Sequence, residues 1–384
     1  MNPLYLTLGI ALLGYSGVTA ARVLLSLYAL DLGAQPAEIG VLVALYFAFP
    51  LVLAWPVGVW ADRIGSRGLL LFGMTVGTLA MILPYFVPKL QALYVAGALA
   101  GLSFVFCSVL VHNLVGLLSK PEDRARNFSN SSLIGSASNI LGPLVAGFGI
   151  DHVGHAIASL GAAALFIAGL ALVAIWGGTL PGGSGKRATV VKSSLRERIS
   201  DKVVMGIILT TTLLQIGQDL YMFYMPIYGH SIKLSASAIG SILAAAAAAA
   251  CTIRVFLPAL VMRLGEQRLL ALSFFVAAVT FLLIPQFHNP WMLGLISVCF
   301  GLGFGCGQPI TMMLLFSRAP AGRSGETVGL RHAVSNLGRV ISPPIFGVIA
   351  SAAGLLTVFV ISALLMGAGV WVSKPKAPRG HSKH

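Results

Sequence analysis

Charge is what this chain has least of: Asp, Glu, Lys and Arg make up 9% of its 384 residues, against about 25% in soluble domains. So little polar surface cannot cover a water-facing globule. Acids are scarcer than bases, 11 against 25, and no span holds two carboxylates. Neither a phosphate loop nor a nucleophile with a matched base is present, so an enzyme is not expected and ATP is not the energy source. The four cysteines, Cys107, Cys251, Cys299 and Cys306, all fall in apolar runs without metal-ligand spacing. No disulfide, metal site or cofactor is expected from them.

What fills the chain is apolar: 57% of residues are hydrophobic and the mean hydropathy is +0.91. Runs long enough to cross a hydrocarbon core of ~30 Å recur from end to end. Twelve are expected, at 4–30, 37–60, 68–87, 90–119, 127–150, 156–176, 203–228, 238–262, 269–287, 290–316, 327–350 and 355–372. They are continuous, unlike barrel strands, which alternate apolar and polar over roughly 10 residues. The fold class expected is all-α and integral to a membrane, so the lipid bilayer is a partner. The first run has no Lys or Arg before it and outlasts a signal peptide's apolar stretch, so it reads as a permanent helix.

A net charge of +14 would suggest nucleic acid for a soluble protein. Location argues otherwise, and no nucleic-acid partner is expected. Twenty of the 25 Lys and Arg lie in the breaks after even-numbered spans, at the adjoining edge of the eleventh span (Arg331) or in the C-terminal tail. Lys89 and Lys233 alone lie on the other side, and Arg22, Arg254 and Arg339 fall inside spans. The positive-inside rule then places both termini in the cytoplasm of a bacterial-type plasma (inner) membrane.

Shifted by 200 residues, the chain aligns with itself without a gap. Tyr28 meets Tyr228, Ile39 and Gly40 meet Ile239 and Gly240, and Arg63 and Gly65 meet Arg263 and Gly265. Later, Gly101 meets Gly301, Pro143 meets Pro343, Gly147 meets Gly347 and Gly154 meets Gly354. Two halves of six spans, residues 1–176 and 203–373, are expected, related by a parallel pseudo-two-fold along the membrane normal. Residues 177–202 read as a cytoplasmic linker and 374–384 as a basic cytoplasmic tail.

The charged stretch between the second and third spans is "GVWADRIGSRG". Its Gly58, Asp62, Arg63, Gly65 and Arg67 resemble the G-x-x-x-D-R-x-G-x-R signature of the major facilitator superfamily. The second half keeps a worn copy, "PALVMRLGEQR", in which Pro258, Met262 and Gln267 replace Gly58, Asp62 and Arg67. Gly58 is expected to let helices pack closely. Asp62 is expected to face another helix's N-terminal end and to pair with a nearby Arg. The resemblance implies a conformational latch at the cytoplasmic ends; a plain positive anchor is the other reading. "GSASNILGPLVAG" in the fifth span, with Gly135, Gly142, Pro143 and Gly147, resembles the glycine and proline signature of the family's antiporter branches. Tight helix packing alone also explains such residues. One departure stands out: the family's proton-driven drug exporters carry an Arg four residues before a glycine in the fourth span, whereas here Gly97 precedes Gly101.

Glu38 lies at the very start of the second span, and Asp219 is the single acid deep within one. A buried carboxylate is costly unless paired or protonated, so it is either the proton-coupling group or half of a structural ion pair. Gln215, one helical turn away, shares its face, and Gln218 is adjacent. Arg22 lies at nearly the depth of Asp219, within reach across a cavity. Arg339, midway through its span, is read as facing a ligand, while Arg254 lies nearer the basic end and has the reach to snorkel. His112, Asn113, Gln308 and Asn139 are further candidates for the cavity lining.

Together the resemblance and these residues imply a monomeric carrier whose partners are a small organic solute and protons. Proton-coupled efflux is the first expectation. Proton-coupled uptake of a small organic anion is the second, because arginines outnumber the one membrane acid. A non-transporting membrane receptor on the same fold is the third.

Overall fold

The computed structural model describes residues 2–120, 122–182, 202–318 and 324–373. The amphipathic end of the expected linker and the basic tail lie outside them. The described residues are almost entirely helical: α1 (Pro3–Asp31), α2 (Pro36–Ile64), α3 (Ser66–Phe86), α4 (Leu90–Leu118), α5 (Arg124–Trp176), α6 (Lys202–Ser231), α7 (Ala236–Leu264), α8 (Glu266–Leu283), α9 (Pro290–Arg318), α10 (Ser324–Ala353) and α11 (Leu355–Val372). By length and composition, 10 of these helices are able to cross a membrane.

Local chemistry sets the ends. Asn2 caps α1 by accepting from the Leu4 N–H at 2.9 Å, with Pro3 at the first helical position. At α2, Glu38 reaches back to accept from the Gln35 N–H at 2.7 Å. Ser235 caps α7 through the Ala238 N–H at 3.2 Å. Each cap satisfies a donor that has no partner within its helix.

Where the sequence suggests separate fifth and sixth spans, α5 runs on to Trp176, broken at Gly154, whose φ is 78°. Gly354, with φ 84°, marks the corresponding boundary between α10 and α11. Gly65 (φ 86°) and Gly265 (φ 76°) make the equally sharp turns from α2 to α3 and from α7 to α8. Only glycine adopts this backbone region without strain, and these four positions are two pairs 200 residues apart.

α1 to α5 pack on one another, with α1 against α5 and α4 against both α2 and α3; α6 to α11 do the same, with α7 against α9 and α8 against α11. The groups meet chiefly along α2 with α10 and α5 with α7. Close backbone approaches between the groups lie at the end opposite the basic loops. A side chain at Gly240 would strike the Pro143 carbonyl, one at Gly40 the Pro343 carbonyl, and one at Gly147 the Ala236 carbonyl. Asp151 accepts from the Ala236 and Ser237 N–H groups at 2.9 and 2.8 Å, holding the start of α7 to α5. At the matching place in the repeat, Ser351 accepts from the Ala37 N–H at 3.1 Å. This end is shut, and the glycines are what let backbone meet backbone there.

Candidate functional site

Between the two groups lies a cavity of about 370 Å³. It is lined at its closed end by Arg22, Tyr46, Phe47 and Asp219, and reaches past Ser108, His112, Ser131 and Ser132 toward the basic ends of α4 and α5. Gln215, Gln218, Gln308, Asn139 and Arg339 also line it. So does Gly135, where a side chain would meet open space.

Asp219, 2% exposed, is the centre of the arrangement. Arg339 of α10 grips it from the side, Nε to Oδ2 at 2.8 Å and Nη2 to Oδ1 at 3.2 Å. Arg22 of α1 adds a longer contact, Nη2 to Oδ1 at 3.4 Å. Gln215 donates to Oδ2 at 3.2 Å, as its place one turn below requires. Gln308 donates in turn to Gln215 at 2.7 Å and to Gln218 at 3.4 Å. Phe47 gives its ring face to both guanidinium groups, 4.3 Å from Arg339 and 5.3 Å from Arg22. Desolvated cations gain from such a face.

The carboxylate thus takes two bonds on each oxygen, which is how a buried charge is kept. Asp219 and Arg339 belong to one helix group and Arg22 and Phe47 to the other. The cluster therefore bridges the seam that any relative movement of the groups opens or closes. Removing one partner of a buried pair costs about 3–5 kcal/mol, so the arrangement responds strongly to whatever displaces an arginine.

Several sequence expectations change place. Asn113 does not line this cavity; its Nδ2 donates to Asp62 Oδ1 at 3.3 Å, making it part of the charged stretch. Gly58 is not a close-packing point here, since a side chain would meet only Val109 Cγ1, at an ordinary 3.8 Å. Gly142 is such a point, against Thr19 and Ala20 of α1, and Gly147 is another. Arg67 donates to the Ala174 carbonyl at 3.2 Å, tying α3 to the end of α5, while Arg63 is exposed and Gly65 makes the turn. Arg254 does not snorkel; it turns into the cavity wall. The Arg339 grip on Asp219 and the Phe47 face were missed, because they depend on how α2, α6 and α10 meet.

A closed end, an open end and a buried charged cluster on the seam between two packed groups define a membrane protein built around a central solute-sized cavity. The chain belongs to the Major Facilitator Superfamily, whose family model matches residues 6–343 and 207–384. The quinolone resistance protein NorA of Staphylococcus aureus (strain MSSA476) is 23% identical over 362 residues, 93% of this chain and 90% of that protein. The multidrug resistance protein MdtG of Salmonella arizonae is 22% identical over 332 residues, 84% of this chain and 81% of that one. Among solved structures, the nucleoside transporter NupG superimposes with a TM-score of 0.77 at 15% identity, covering 98% of this chain and 100% of that one. The peptide transporter POT in complex with sulfate gives 0.76 at 16% identity, with 97% and 94% covered.

Proposed function

We propose that this chain is a secondary carrier that moves a small organic solute across a bacterial-type plasma membrane by alternating access, coupled to protons at Asp219. One observation carries the reading: a nearly inaccessible carboxylate sits in the cavity wall between arginines from α1 and α10. Ionisable groups this deep in a helix bundle mark ion pathways. When a bound solute or a change of state draws off an arginine, the carboxylate is left under-neutralised in a low-dielectric site. Taking up a proton then costs less than carrying the charge.

Export is the first direction. The names of NorA and MdtG concern drug resistance, and the glycine and proline stretch of α5 lies on the seam. A second reading, proton-linked uptake of a small organic anion, is favoured by the charge count of the cavity, in which Arg22, Arg254 and Arg339 face one carboxylate. Proteoliposomes carrying a pH gradient test both, using cationic, neutral and anionic compounds. Export predicts that the solute moves against the proton flow, and uptake that it moves with it. No gradient-dependent movement of any class sinks the carrier reading.

We further propose that twelve spans form two six-helix halves, 1–176 and 203–373, joined by 177–202 with both termini cytoplasmic. The recurrence of turn glycines and closing contacts at a 200-residue offset supports this. A cysteine placed in 177–202 is then expected to resist an impermeant reagent in intact cells, and ready labelling overturns the orientation. In that orientation the present state is inward-facing, and the stretch from Gly58 to Arg67 latches the cytoplasmic ends in the opposite state. Asp62→Asn is expected to lower transport several-fold with expression unchanged. Lower expression with transport per molecule unchanged would make the stretch an anchor instead.

A further inference from the structure

Arg254 of α7 differs from the other two arginines of the cavity. Its Nε donates to the Gly305 carbonyl of α9 at 3.2 Å and its Nη1 to Ser136 Oγ of α5 at 3.1 Å, both neutral partners. Arg22 and Arg339 share Asp219, but among the described residues no carboxylate meets Arg254. Arginine cannot shed its charge, and two neutral acceptors leave three of its five N–H groups without a partner among the described residues. A guanidinium this far into a membrane bundle calls for an anion or for water.

Two neighbouring features give the position a shape. Asn139 of α5 lines the same wall and makes no hydrogen bond to the described residues, so its amide donors are free. Beyond it a recess of about 50 Å³ opens between Ala246, Ala247, Ala250, Phe300 and Phe304, with Gln218 and Tyr221 also in its wall. That space holds a compact apolar group and not a whole solute. The recess exists because α7 presents alanine without interruption from Ala244 to Ala250.

We propose that Arg254 and Asn139 form an anion subsite, and that the solute is a small organic anion whose acidic group docks there with its apolar part against the recess. The inference rests on reading the central cavity as the solute's path and holds for either direction of transport. Charge balance selects the class: three arginines against one carboxylate repel a cation. Docking on Arg254 also leaves the Asp219 cluster intact, so the solute and the proton have separate partners.

Thermal unfolding of the full-length purified protein with benzoate, and with its neutral isostere benzamide, tests the subsite. Benzoate is expected to raise the melting temperature in a saturable manner and benzamide to leave it unchanged. Arg254→Gln is expected to weaken the apparent benzoate affinity by about tenfold or more, the effect of losing a charge-assisted bond. Arg254→Lys, which keeps the charge but not the fork, falls between the two and carries the comparison if Arg254→Gln unfolds. A benzoate shift that is absent, or equal in wild type and Arg254→Gln, overturns the subsite. The carrier reading fails separately: benzoate binding that depends on Arg254, without gradient-driven movement of any compound in proteoliposomes, sinks transport and leaves the subsite standing. Gradient-driven movement without such binding does the reverse.

Discussion

Asp219→Asn is expected to abolish pH-driven accumulation of solute entirely while leaving exchange of solute down its own gradient in place. Asparagine keeps the volume and one acceptor oxygen of Asp219 but cannot take up a proton at cellular pH. Coupling needs a group that exists in two protonation states, and no other carboxylate lies deep within a span of the chain. Exchange needs only the solute site and the movement of the helix groups. It also reports whether the variant is folded, because the substitution leaves Arg22 and Arg339 without their counter-ion, at a cost of about 3–5 kcal/mol. Undiminished pH-driven transport in Asp219→Asn would make this residue a structural partner of the arginines and nothing more.

The second large effect is expected from Gly40→Val combined with Gly240→Val. These glycines face the Pro343 and Pro143 carbonyls across the seam, and a Cβ at either position overlaps backbone that cannot move aside. Overpacking of this kind costs about 1–3 kcal/mol per site, and 1.4 kcal/mol is about a tenfold change in population. The two together shift the balance away from the state closed at the end opposite the basic loops by about a hundredfold. Net transport is expected to fall to background. A cysteine at Gly135, which faces open cavity, is expected to become reactive to an impermeant reagent added outside. Transport at the wild-type rate would show that the closed end opens and closes without this backbone contact.

Much of this was legible in the sequence because the membrane restricts what a chain can do. A span must satisfy its own backbone, so continuous apolar runs announce helices. A duplicated chain keeps its special glycines in register, so Gly65 with Gly265 and Gly154 with Gly354 were visible as pairs, while their sharp turns came only from the structure. Asp219 announced itself by isolation, and Gln215 by helical spacing. Arg339 gripping Asp219 could not be read, since residues 120 apart meet only through the packing of α6 on α10. Asn113 was misplaced for a related reason. It sits next to His112, but successive residues on a helix point about 100° apart, and only one of the two faces the cavity. Arg254 was misjudged by depth alone. The alanines before it carried the missing signal, for a run of small side chains on a helix leaves a void that a longer neighbour or a ligand fills.

The central claim is that Asp219 takes up and releases a proton, and infrared difference titration of the purified protein reads that directly. Protonated carboxyl groups absorb apart from carboxylates, and asparagine removes the contribution of one residue. The account predicts a protonated-carboxyl band in the wild-type protein that is absent from Asp219→Asn. An identical titration in both proteins would contradict it.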